Sequence, residues 1–365
     1  MPATETLEEA KRLMQICNAC RYCEGYCAVF PAMTKRLDFT DGDVTYLANL
    51  CHGCQGCYYA CQYAPPHEFA VNVPKTFAEL RAETYRDYAW PGIFKGVFEG
   101  NAKWVALITV LATLVTVFLT YWIQGADVVG GVHTGPGAFY KVIPHNVIVY
   151  IASVPFFLAM IAFIVGIIMF WRDIGAKASD LFSIPNLIQA SKDVGKMTYM
   201  AGGGHECNYP DDNFSHGRRH AHQMTMWGFL LCFAATSVAT IYHYVFGWEA
   251  PYGYFSIPVI LGTVGGIGIV FGPIRLLMIK KKADPAPQDT KRHGMDIAFL
   301  WMLILTGITG LALLALRETA AMGLLLAVHF GIVLGLFITF PYGKMAHAVY
   351  RFAALIRFAG ERRTS

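Results

Sequence analysis

The chain has 365 residues, 55% of them hydrophobic and only 15% charged, with a formal net charge of +4 and a mean hydropathy of +0.41. A water-soluble domain carries about 25% charged residues, so a single soluble domain is excluded as an account of the whole chain. No basic stripe interleaves with exposed aromatics, which removes nucleic acid from the expected partners.

The first residues, MPATETLEEAKRLM, lack the basic start and apolar run of a cleavable signal peptide, and the expectation is a cytoplasmic N-terminal head. Eight of the ten cysteines lie in that head. They form two runs, Cys17, Cys20, Cys23, Cys27 and Cys51, Cys54, Cys57, Cys61, each reading C-x2-C-x2-C-x3-C. Three thiolates at three-residue intervals wrap a cuboidal cluster, with Gly53 and Gly56 easing the turns, and the fourth cysteine reaches the other cluster. One [4Fe–4S] is therefore assigned to Cys17, Cys20, Cys23 and Cys61, and another to Cys51, Cys54, Cys57 and Cys27. Paired zinc sites are the alternative, since C-x2-C units also bind zinc. The proline that often follows the fourth cysteine is absent; Ala28 and Gln62 stand there.

Helices are expected at Thr6 to Ile16, with Thr6 as N-cap and Glu9 in the capping box. Others are expected at Asp41 to Leu50, capped by Thr40 or Asp41, and at Lys75 to Tyr88. Tyr88, Trp90, Phe94 and Phe98 then suit a membrane interface.

Six spans follow, approximately Trp104–Ile123, Val147–Trp171, Met224–Phe246, Ile257–Ile279, Ile297–Leu316 and Met322–Phe340. Each has roughly the ~20 apolar residues that cross a bilayer core. Pro155 kinks the second, and glycines in the fourth permit close helix packing. An even count puts both termini on one side. Lysine and arginine crowd that side's connectors, while the other side has only Lys141 and Arg317, so both termini are expected in the cytoplasm.

Histidines mark the third and sixth spans. His222 opens the third and His243 closes it; His329 lies inside the sixth and His347 just past its end, beyond Pro341. At about 100° per residue, His329 and His347 share a face, and His222 and His243 differ by about 60°. Antiparallel spans then bring His222 to His347 on the cytoplasmic side and His243 to His329 on the outer side. Two facing imidazoles supply both axial ligands of a b-type haem, so one or two haems are expected, two favoured. His220 competes with His222, and His145 with the outer pair. No C-x-x-C-H motif argues for covalent attachment. Arg218 and Arg219, beside His220, suit haem propionates. In the loop GGGHECNYP, His205 and Cys207 are candidates for contact with a cluster edge, and Cys232 reads as a packed apolar residue.

The fold expected is all-α: an α-helical ferredoxin-like domain fused to a six-helix transmembrane cytochrome b-like bundle. Residues 1–95 form the two-cluster domain, 96–103 an interfacial linker, 104–357 the membrane domain with cytoplasmic loop 172–223, and 358–365 a C-terminal tail.

The segment from Phe340 to His347, with His329 eighteen residues earlier, resembles the last haem-binding helix of the nitrate reductase gamma-subunit type of cytochrome b. The doubled cysteine runs, the six spans and the loop Gly202 to Pro210 with Ser215 to His220 resemble the CitB / tricarballylate-utilisation B family over nearly the whole chain. That resemblance implies a partner FAD-dependent dehydrogenase oxidising tricarballylate or a related carboxylate. It also implies a redox subunit with no substrate dehydrogenase site of its own, which passes electrons to quinone in a bacterial inner (cytoplasmic) membrane. Rival readings are a membrane redox sensor, a redox-linked transporter, and an electron-transfer subunit of a heterodisulfide- or sulfite-type complex. Carboxylates are nearly missing from the spans, which disfavours the transporter.

Overall fold

The structure is a computed structural model that describes residues 4–98, 100–200 and 207–363. Among these residues it is helical apart from one small hairpin, Cys207–Asn208 against Phe214–Ser215.

In the head, helix Glu5–Cys20 starts at Thr4, whose side chain accepts the N–H of Leu7. The cap is thus two residues earlier than expected. Thr6 instead donates its hydroxyl to Glu83 at 2.8 Å, tying the helix to helix Val73–Asp87. Helix Asp41–Leu50 has the expected cap: Thr40 and Asp43 satisfy each other's backbone N–H groups reciprocally. Asn72 caps Val73–Asp87, with Pro74 in its first turn. These three helices bury Leu13, Met14, Val44, Leu47, Phe77 and Leu80 in a common core. Burying each such side chain contributes about 1.5–3 kcal/mol, so the head has an apolar core beside its cysteines.

Six helices are long and apolar enough to cross a membrane: Asn101–Gln124, His145–Asp173, Gly217–Phe246, Ile257–Lys281, Thr290–Leu316 and Met322–Tyr342. Their outer faces expose Leu111, Leu114, Phe118, Ile164 and Phe271. A contiguous apolar girdle on saturated helices is what a bilayer accepts, and the chain is a multi-pass membrane protein. The first span lies along the sixth, where Gly331 and Gly335 face Thr113 and Thr109. The third lies along the fourth, and the fourth, fifth and sixth pack in series. Gly228 and Gly268 bring the third and fourth spans to backbone contact: a Cβ on Gly228 would stand 2.8 Å from the Gly268 carbonyl carbon. The third span has no comparable packing with the second or sixth.

Beyond Tyr342 the chain turns into a separate helix, Ala346–Arg363, which packs on the head. Tyr350 stacks on Tyr85 at 5.7 Å, and Glu361 bonds Arg36 at 2.6 Å and the Tyr46 hydroxyl at 3.0 Å. Residues 358–363, expected as a tail, therefore continue a docked helix with Phe358 and Ala359 buried. Apolar and charged faces on one helix make that docking favourable. Head and C-terminal helix occupy the same end of the bundle. Tyr88 and Phe98, expected at the interface, are buried, Tyr88 bonding Asp173 at 3.1 Å. Trp90 and Phe94 remain exposed.

Candidate functional site: two cysteine sets and a histidine-lined cavity

The first cysteine set is built by a helix end. Cys17 and Cys20 lie on the last turn of Glu5–Cys20, which stops because Arg21 takes φ +57° and donates its N–H to the Cys17 carbonyl. Cys23 follows in the turn, and Cys61 arrives from the second run. Cys17, Cys20, Cys23 and Cys61, joined by Cys57 of the second set, line a cavity of about 270 Å³. Cys17 and Cys23 are pushed up to about 12 by burial first, then by the neighbouring thiols.

The second set needs a tighter path. Gly53 and Gln55 both adopt left-handed conformations, φ +62° and +66°, between Cys51 and the short helix Gly56–Tyr59 that carries Cys57. A Cβ at Gly56 would stand 3.2 Å from Asn208 Oδ1, so this position serves a close approach. Cys57 is held well above the usual thiol range by burial, then by Cys54, Cys27 and Cys51, with Cys23 of the first set also near. Cys27 likewise feels burial first, then Cys54 and Cys51. The structure thus brings together the two crossed sets of four read from the spacing, side by side.

Thiols this reluctant to ionise become thiolates when a polycationic centre supplies the opposing charge. A single zinc ion would need ligands converging at about 2.3 Å. Among the described residues no three His, Cys, Asp or Glu converge on a single-ion point. Four thiols spread around a cavity fit a cluster better than one ion.

Behind the second set lies a cavity of about 420 Å³ between the third, fourth and fifth spans and the C-terminal helix. Its membrane-ward wall is apolar, with Phe229, Leu230, Leu276, Phe299 and Leu303. Its head-ward wall carries His52, Arg81, Arg218, Lys280, Lys344 and Arg351, against a single carboxylate, Asp296. Asp296 is taken by Lys280 at 2.7 Å and Lys344 at 2.6 Å. Arg81 and Arg351 turn to the Cys51 carbonyl, at 3.3 and 2.8 Å, and the buried Arg351 Nε has no hydrogen-bond partner. Burial first, partly offset by Tyr85, leaves Arg351 lowered to about 10. The wall is short of negative charge.

His222 and His347 face each other across this cavity, ring centroids 6.1 Å apart and planes at 87°. A metal–imidazole bond is about 2.0 Å; two in line, with about 1.1 Å of ring radius on each side, place centroids about 6 Å apart. His347 Nδ1 is bonded to the Lys344 carbonyl, leaving Nε2 for a ligand, the usual outer-shell arrangement of a metal-bound histidine. The His222 Nδ1 is buried without a partner. An iron porphyrin with two propionates fits these residues: paired imidazoles, an apolar floor and an under-compensated cationic wall.

The outer histidines are arranged differently from the sequence expectation. His243 stacks on His145 at 3.6 Å and 20°, too close for an iron between them in line. His329 turns toward the fifth span, where its Nδ1 and the Thr309 hydroxyl are 2.9 Å apart and Gly310 clears room for the ring. The pairing of His243 with His329 is not made. Helical angle and depth matched them, but the third span packs on the fourth, and the rim of the second reaches its outer end first. Arg219 and His220 also stand away from the cavity: Arg219 donates to the Lys196 carbonyl at 2.9 Å, and His220 stacks on His216 in an exposed position. His205 lies outside the described residues. Arg81, Lys280, Lys344, Arg351 and His52 were missed, being scattered through the chain. Arg351 alone had a local signal, four residues after His347 and hence on its face.

Comparison with known proteins gives the family. The profile of the family described as "Citrate utilization protein B" matches residues 100–365, and that of the "Citrate utilization protein B Fer4-like domain" matches residues 10–88. A protein from Escherichia coli described as "Citrate utilization protein B" is 47% identical over 364 residues, 99% of this chain and 94% of its own length. No solved structure matches. The cysteine head is an iron–sulfur-binding, Fer4-like domain.

Proposed function

The chain belongs to the citrate utilization protein B family, and from that premise we propose that it carries electrons from the reduced flavin of a partner FAD-dependent dehydrogenase to membrane quinone. The partner's substrate is citrate, tricarballylate or a related carboxylate. Two [4Fe–4S] clusters and one haem b would supply the one-electron carriers. Cys17, Cys20, Cys23 and Cys61 hold the first cluster, and Cys51, Cys54, Cys57 and Cys27 the second. His222 and His347 are the axial pair, while Arg81, Arg351 and Lys344 meet the propionates as charge-assisted donors. His243, His145 and His329 take no part in this haem, and the outer pair does not fit a second one.

The observation that carries the reading is a short covalent and hydrogen-bonded connection. Arg351, one turn beyond His347, donates to the carbonyl of Cys51 at 2.8 Å, so the second cysteine set and the histidine cavity share a wall. Tyr85 and Tyr350 stack beside that wall. The head is a relay without a dehydrogenase site, and its expected side is the cytoplasm, by the charge bias of the connectors.

The test is anaerobic purification with iron, sulfide and haem counted per chain, followed by mixing with reduced partner and a quinone. Eight non-haem irons, one low-spin haem and quinone-dependent reoxidation of the flavin are expected. Zinc in place of iron, or a reduced protein that quinone leaves reduced, would reject the relay.

A further inference from the structure

The long loop between the second and third spans closes over the second cysteine set. Cys207 is fully buried, and its thiol donates to the Cys54 carbonyl at 3.2 Å. Asn208 donates its backbone N–H to the same carbonyl at 2.9 Å. Tyr209 packs beneath, and the Arg218 guanidinium lies over its ring at 4.8 Å. Arg218 donates to the Gly53 carbonyl and to that of His52, the latter at 3.2 Å, and also reaches the Cys207 sulfur at 3.5 Å. The carbonyls of three successive residues in the ligand loop, His52, Gly53 and Cys54, are thus gripped by one segment from 150 residues away. Among the described residues the first cysteine set has no such cover, and Cys20 is exposed at its rim.

Arg218 sits at the second position of helix Gly217–Phe246, so the positive end of that helix points at the same loop. Reduction of a [4Fe–4S] centre adds one electron and one negative charge to a partly desolvated site. A fixed cation and inward-facing donors favour the more negative state, and water exclusion magnifies their effect.

We propose that Arg218 and the Cys207–Tyr209 segment form a clasp that raises the reduction potential of the second cluster above that of the first. The gradient directs electrons from the exposed cluster to the covered one beside the histidine cavity. Arg218 is a positioning and tuning residue, and this assignment differs from the propionate role expected for it. It rests on the iron–sulfur reading of the head.

The experiment is an EPR-monitored redox titration of the full chain in detergent, with the second cluster's signal identified by its change in Cys51→Ser. In Arg218→Met, the reduced-to-oxidised ratio of the second cluster at the native midpoint should fall about tenfold, about 59 mV for one electron. The first cluster's midpoint should stay put. Arg218→Lys, which keeps the charge, should recover part of the loss, and Cys207→Ala should lower the same midpoint by less. Should Arg218→Met lose the second cluster, the Lys and Cys207→Ala variants carry the measurement. Unmoved midpoints in variants of full iron content, or equal shifts in both clusters, would overturn the clasp. A native protein with no cubane signals would overturn the iron–sulfur reading beneath it.

Discussion

Two imidazoles 6.1 Å apart in a cavity with a cationic rim define a site that either histidine's loss must abolish. His222→Ala and His347→Ala are each expected to remove the low-spin haem spectrum, because one axial ligand leaves iron high-spin or unbound. His243→Ala and His329→Ala should retain it. Reduced-minus-oxidised optical spectra and haem per chain give the answer; retention in His347→Ala would discard the site. At this scale iron–sulfur binding by the head was legible, since the three-residue spacing is itself the geometry of a cluster loop. The approach of His222 to His347 was legible from depth alone, because the helix breaks after Thr339 and His347 sits on a helix separate from that of His329, so their expected shared face does not exist. The outer pair was not, because a helical wheel reports which way a side chain points and says nothing about which neighbour fills the space. His145 won that space through the packing of the second span, and Thr309 captured His329.

At the scale of elements, two contacts set the cavity's walls. Gly228 lets the third span touch the fourth, with Gly268 and Ile269 backbone atoms 2.8 Å from where a Cβ would stand. Gly228→Leu should cost about 1–3 kcal/mol by overpacking and widen the cavity mouth, lowering haem content along with the melting temperature in detergent; Gly253→Ala, with open space around the added Cβ, serves as control for surface change. The second contact is the C-terminal helix on the head. Asp43 bonds Arg36 at 2.7 Å and lies 3.9 Å from Arg357. Burial opposes ionisation of Asp43, but the Thr40 and Arg36 hydrogen bonds outweigh it and hold its carboxyl below the ordinary value. A lowered folded value means the contribution is whole above the unfolded aspartate value of about 3.9 and is lost as pH falls through the lower one. Amide exchange in Ala346–Arg363, corrected for intrinsic rates, should therefore rise below about pH 4. Asp43→Asn should show the weakened state already at neutral pH, by about 1 kcal/mol, since the carboxylate keeps some contact with solvent. Equal protection in both proteins at pH 6 would refute the coupling. The spans were readable because about 20 apolar residues have few alternatives to crossing a bilayer. The C-terminal helix was divided between the membrane domain, to 357, and a tail, from 358, because its partner surface, on Asp41–Leu50, is about 300 residues away in sequence.

For the whole molecule, the order of dependence between the two cofactor sites follows from which side supplies the supports. The head needs its metal: eight cysteines converge there, five of them with thiols raised by burial or by each other to about 12 or well above the usual range. Without bound iron those groups stay protonated and the loops of both runs lose their tether. The histidine cavity in turn leans on the head, because Arg351 is anchored on the Cys51 carbonyl and Tyr350 on Tyr85. The reverse support is narrower: Leu13, Met14, Leu47 and Phe77 share one apolar cluster with Leu336 and Phe340 of the sixth span, whereas the His222 ring faces His347 across the cavity. Cys51→Ser should therefore lose the second cluster and a large share of the haem, roughly half or more, whereas His222→Ala should lose the haem and keep about eight irons. Iron and haem counted on the same anaerobic preparations decide between this one-way dependence and two independent sites. Full haem in Cys51→Ser would show that the shared wall transmits no support, and electrons would then have to cross it without the packed contacts described above.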